Sequence, residues 1–195
     1  RKLDLPVMET AFPSMPLRSF LIECANAAVL ESQGNDWRFA HDKLRETILR
    51  RIASDNLRQL HKEVAEAIEK VYAGEQRSSM SPLLASHFHQ AGLLDKAMQY
   101  YIEAGDNAAK LYLYEEARNH FSAAHTIIRD LPESPELNRL HAELLLKQVH
   151  AGLINDPSQV QLRRLGEARK LLESIADTRS ATPLDRLRMA RVDYY

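Results

Sequence analysis

The sequence predicts an all-α protein of stacked antiparallel helical hairpins, with one small β-hairpin near its start. Three observations predict it. Six glycines and eight prolines in 195 residues fall well below the roughly 12% of average usage, which leaves few turns. Ser81-Pro82, Ser134-Pro135, Asp156-Pro157 and Thr182-Pro183 each set a capping side chain before a proline suited to a first helical turn. Finally, Ala97-x3-Tyr101-x2-Ala104 recurs as Ala117-x3-Phe121-x2-Ala124, with Ala168-x3-Leu172-x2-Ile175 as a looser copy. Small residues on one face let neighbouring helices approach, and the larger side chain between them fills the gap.

The elements follow in order. Residues 1–15 lack periodicity and hold Pro6 and Pro13, so they read as an irregular lead-in; Leu17–Ala28, after Pro16, reads as a short buried helix. Val29–Ser32 and Trp37–Phe39 flank Gln33-Gly34-Asn35-Asp36, a turn composition, and predict the hairpin. In Asp42–Ile52, Leu44, Ile48 and Ile52 share one helical face, and Ser54 is expected to cap a longer helix with Leu57, Leu60, Val64, Ile68 and Val71 inward. Gly74–Ser81 reads as a loop, the most flexible joint before the repeats. Ser81-Pro82 then opens a helix lined by Leu84, Ala85 and Phe88 and ended by Gly92. The next begins near Asp95, with Gly105 expected as a kink, and another covers Tyr114–Arg129, stopped by Leu131-Pro132. Ser134 opens a helix with Leu137, Leu140, Leu144 and Val149 inward. Asp156 opens one with Val160, Leu165, Ala168, Leu172 and Ile175, and Thr182 the last. Two domains are expected, 1–73 and 81–195.

Composition excludes several classes. With 26 Lys+Arg against 27 Asp+Glu and 45% apolar residues, the chain is neither a disordered segment nor a strongly basic nucleic-acid binder. Cys24 is alone, so no internal disulfide is available. No apolar run approaches the roughly 20 residues of a membrane span, and no signal-peptide pattern opens the chain. It reads as a cytoplasmic piece of a longer protein.

Two passages resemble a known family. Trp37-Arg38-Phe39-Ala40-His41 leads into Leu44-Arg45-Glu46, and Leu60-His61 with Val64-Ala65-Glu66 follows; then come Leu84-Ala85-Ser86-His87-Phe88-His89-Gln90-Ala91-Gly92 and Ala97, Tyr101 and Ala104-Gly105. This looks like the region downstream of the ATPase core in bacterial signal-transduction ATPases with numerous domains, and it covers about residues 16–130. The resemblance implies the end of a winged helix followed by a tetratricopeptide-like repeat region. It would place His41 and Arg45 at an interdomain contact with the ATPase core. Members can also carry kinase, histidine-kinase, cyclase or DNA-binding domains. Because the chain has no Gly-x4-Gly-Lys-[Ser/Thr] phosphate loop, it is read as no enzyme itself, and no cofactor is expected.

Other candidate chemistry is weaker. His87-x-His89 sits at i, i+2, which on a helix points the rings about 200° apart, so no metal site is expected. His41 and His61 are expected to make a polar contact between adjacent helices, and Cys24 to be a small buried residue. Trp37 and Phe39 are expected to seal the first core. Arg38, Lys43, Arg45, Arg50, Arg51, Arg58 and Lys62, against Asp42, Glu46 and Asp55, form a basic stretch. It spreads around its helices, so DNA binding is the alternative rather than the reading. Tyr101 and Phe121 are expected in the core. Tyr100, Tyr112 and Tyr114 either anchor a protein partner or close turns. The expected function is a non-catalytic regulatory module that relays protein binding to an upstream ATPase core. A kinase or cyclase fragment, a DNA-binding regulator and a homo-oligomer remain as alternatives.

Overall fold

The structure, a computed structural model, describes residues 2–34, 36–176 and 182–195, except for the side chain of Ala176. Among these it has eleven helices and one two-stranded antiparallel sheet, and no helix is long and apolar enough to cross a membrane. The chain divides into two compact units between Leu93 and Leu94.

The first unit holds α1 (Leu5–Ala11), α2 (Leu17–Asn26), β1 (Leu30–Gln33), β2 (Asp36–Phe39), α3 (Asp42–Arg51), α4 (Ser54–Val71), α5 (Gly74–Ser79) and α6 (Ser81–Gln90). The expected hairpin is present and pairs Leu30 with Phe39, but its turn is tighter than the composition suggests, because Gln33 and Asp36 pair with each other as the last and first residues of the strands. Leu17, Leu21 and Leu30 form a small core, closed by Trp37, Phe39, Met8 and the half-buried Cys24. The expected lead-in is corrected, because α1 lies within it. The Asp4 carboxylate accepts from the Val7 N–H, Pro6 occupies the first turn, and Val7 is buried. Asp4 also accepts from the Tyr72 hydroxyl at 2.5 Å. Helix α4 packs against both α1 and α6. The expected joint at Gly74–Ser81 is a short helix, α5, and α6 belongs to this first unit. Ser54 and Ser81 are first helical residues rather than caps; the buried Ser81 hydroxyl instead donates to the Ser78 carbonyl.

The second unit holds α7 (Leu94–Lys110), α8 (Tyr114–Arg129), α9 (Pro135–Gly152), α10 (Ser158–Ala176) and α11 (Pro183–Tyr194), each packed against the next. Capping side chains fix two starts. Ser134 accepts from the Leu137 N–H, and Thr182 shares a capping box with Asp185. Asp156 does different work from the expected cap: its carboxylate accepts from Arg118 of α8 and Arg164 of α10. Gly152 makes room for it, since a Cβ there would lie 2.3 Å from Asp156 Oδ2. Ala142, Leu145, Leu146, Val149, Leu165, Ala168, Leu172 and Val192 form the core of α9–α11.

The recurring small residues behave as their spacing predicts. Ala97, Ala104, Ala117, Phe121 and Ala124 are all buried, as are Ala168, Leu172 and Ile175. Gly105 corrects the expected kink, because α7 runs through it without interruption. A Cβ at Gly105 would sit 2.3 Å from Phe121 Cε1, so the glycine is there to admit the ring. Above that ring Lys147 Nζ stands 5.9 Å from the centroid and pairs with Asp106 at 2.5 Å, tying α9 to α7. Tyr101 is only half-buried, beside His120 at 6.2 Å between ring centroids.

Two effects compete at Gly105. Helix propensity favours alanine by about 1 kcal/mol, whereas forcing an extra carbon into a filled core costs about 1–3 kcal/mol. Phe121 is 1% exposed and has nowhere to retreat, so overpacking wins. Urea unfolding will show Gly105→Ala destabilised by up to about 2 kcal/mol, the difference of those terms. In a Phe121→Leu background the same substitution will cost less, as a double-mutant cycle.

Candidate functional site

Three turn-forming segments in this structure close with the same backbone device. After α6, Gly92 takes φ +77° while Leu93 N–H bonds the Phe88 carbonyl and Gly92 N–H the His89 carbonyl. After α7, Tyr112 takes the glycine position at φ +60°, with Leu113 N–H on Ala108 and Tyr112 N–H on Ala109. Ala28 closes α2 likewise at φ +55°. A left-handed tyrosine costs roughly 1–2 kcal/mol against the right-handed form. What distinguishes Tyr112 is that its ring is 78% exposed.

Around that ring the second unit gathers an apolar and aromatic edge. Leu111 is 68% exposed and Leu113 is exposed on the same turn, and Ile154, 87% exposed, lies beside Leu153 on the turn after α9. The two turns meet: Tyr112, Leu113, Tyr114, Glu115, Glu116, Asn119 and Asn155 line one shallow concavity. Tyr112 and Tyr114 stand edge-to-face at 6.2 Å, and Tyr114 stands edge-to-face with His150 at 6.3 Å. The Tyr195 hydroxyl lies 3.3 Å from His150 Nδ1. Of the three tyrosines singled out in the sequence, Tyr112 and Tyr114 therefore share this edge. Tyr100 is a correction, because it is 9% exposed and offers no surface; it lies on the buried face of α7 with Ala97 and Ala104.

The histidines sort differently from the sequence reading. His41 is exposed at the start of α3, where its side chain caps nothing, and Arg45 is half-buried on that helix. His61 meets His87 rather than His41: their Nδ1 atoms lie 2.8 Å apart, joining α4 to α6. A cluster absent from the sequence reading stands in the second unit, where His125 of α8, His141 of α9 and Glu167 of α10 bring ligand atoms within 4.8 Å of one another. No local spacing signals it, since its members come from three separate helices.

Burial holds His61, His120, His125 and His141 below the ordinary imidazole value. Burial alone would raise the carboxyl of Asp156, yet hydrogen bonds from Arg164 and Arg118 outweigh it and keep the group below the usual carboxylate range. Asp185 is held down in the same way against burial, by Thr182 and Arg139.

Replacing Tyr112 by glycine relieves the left-handed strain but frees the unfolded chain. Tyr112→Gly is expected to raise stability in urea by up to about 1.5 kcal/mol, the strain less the glycine entropy. A lowered histidine means that the unfolded state binds more protons, so stability rises with pH between the folded and unfolded values and falls on acidification below ~6.5. Thermal unfolding will show the midpoint dropping as pH falls from ~7 to ~5, with a shallower drop for His61→Gln. Comparison of the chain with family models, curated proteins and solved structures finds no match.

Proposed function

We propose that this chain is a non-catalytic protein-interaction module whose aromatic edge docks an apolar segment of a partner protein flanked by Lys or Arg. The observation that carries the reading is the pair of adjoining turns: Tyr112 and Leu113 of one line a concavity with Asn155 of the other, and Leu111, Leu153 and Ile154 are exposed on the same two turns. Exposed aromatic and aliphatic side chains grouped in one place are characteristic of recognition surfaces. Tyr112 adds a second support, because backbone strain is held at a position that projects the ring outward. Glu115 and Glu116 on the rim supply charge complementary to a basic flank.

The resemblance of residues 16–130 to signalling ATPases extends this reading. Helices α7–α11 are then a tetratricopeptide-like region and residues 1–73 a winged-helix-like segment. Partner binding would be relayed to an ATPase core by rigid-body movement, with His41 and Arg45 at the contact. The Ala-x3-aromatic-x2-Ala rows on α7 and α8 support the repeat assignment.

The test is selection from a random peptide display library on the full chain, followed by anisotropy titration of the recovered peptides. Selected peptides will carry apolar anchors with Lys or Arg nearby. Tyr112→Gly and Ile154→Ser will each weaken binding by about tenfold, the ~1.4 kcal/mol of a moderate anchor, while Lys170→Ala leaves it unchanged. Peptides that bind all variants equally, or turnover of ATP with magnesium by the chain, would contradict the reading.

A further inference from the structure

We propose that His125, His141 and Glu167 form a binding site for a divalent cation of the zinc class, joining three successive helices of the second unit. The donor set is two imidazoles and one carboxylate, which suits zinc and its first-row neighbours; calcium and magnesium prefer oxygen alone. The geometry is close to a coordination sphere. His141 Nε2 and Glu167 Oε1 lie 3.7 Å apart, against the roughly 3.3–3.5 Å between neighbouring ligands of a tetrahedral ion with bonds of about 2.0–2.1 Å. The rings of His125 and His141 stand 5.0 Å apart and tilted by 48°. All three ligand atoms fall within 4.8 Å, so side-chain rotation of about 1 Å closes the site around an ion.

A second observation points to a ligand. His125 Nε2 and His141 Nε2 are both buried, and neither has a hydrogen-bond partner. A buried polar atom without a partner is uncommon and costly, and here there are two at one place. A shared cation satisfies both nitrogens at once. Burial also keeps the two imidazoles neutral near pH ~7, with lone pairs available to a metal.

Charge nearby is mixed. Arg129 and Arg164 act on His125 and oppose a cation. Arg164 is engaged by the Asp156 carboxylate, and Glu167 supplies negative charge directly to the site. The Glu167 side chain is 42% exposed, so water reaches the site and can fill the remaining position, as in zinc sites with three protein ligands. The ion would fix α8, α9 and α10 in register, adding stability that grows with its free concentration.

The experiment is calorimetric titration of the full chain with zinc chloride near neutral pH, paired with thermal unfolding with and without zinc. A cobalt spectrum serves as the readout of coordination. The expected result is a single ion per chain, a higher unfolding midpoint with zinc, and a cobalt d–d band of four-coordinate intensity. Glu167→Gln, on the part-exposed side chain, and His125→Ala will each weaken binding by about tenfold or more and reduce the thermal shift at a given zinc concentration, whereas His41→Ala changes nothing. Unchanged binding in folded Glu167→Gln and His125→Ala, or no zinc uptake by the natural chain, would overturn the proposal.

Discussion

The second unit depends on one close approach, the ring of Phe121 set against the bare backbone of Gly105. The distance from Phe121 Cε1 to an imagined Gly105 Cβ, 2.3 Å, leaves no room for any side chain. Alanines at 97, 104, 117 and 124 continue the contact along both helices, so α7 and α8 meet through small atoms and one aromatic plug. Close packing of this kind fixes the relative position of two helices more sharply than long flexible side chains would. Lys147 and Asp106 then bind α9 across the same ring.

That fixed geometry places the surface chemistry. The turn after α7 and the turn after α9 come together because the helices that carry them are held in register. The left-handed Tyr112 then projects from the joint edge. The polar ties on the inside have the opposite character. Asp156 between Arg118 and Arg164, and Asp185 between Thr182 and Arg139, are largely removed from solvent and hydrogen-bonded on several sides. Removing one partner from such a group is costly, while the exposed ion pairs, such as Lys2 with Asp36, contribute little.

Much of the fold was legible where local chemistry decides local structure. Tyr114–Arg129 is α8 residue for residue, because a turn precedes it and Leu131-Pro132 follows. Ser134 and Thr182 announce their helices through side-chain caps. Helix α1 escaped because Pro6 stands two residues after Asp4 and the helix buries only Val7. Helix α5 escaped because Gly74–Ser79 is wholly polar and buries nothing. Gly105 was misread for a tertiary reason: whether a helical glycine bends the chain or admits a neighbour depends on what packs there. Tyr100 is buried and Tyr101 only half-buried, against expectation, because adjacent helical residues differ by about 100°, and only the partner helix decides which is covered. The His125–His141–Glu167 cluster lay beyond any local pattern, since it exists only once three helices are in register.

The claim most open to direct measurement is that α8, clamped between α7 and α9, is the most protected part of the second unit. Native-state hydrogen exchange of the full chain reads this amide by amide. Amides of Ala117–Ile128 should exchange only through the unit's global opening, among the slowest in the protein. Fast exchange there by local opening, while α10 stays protected, would contradict the account.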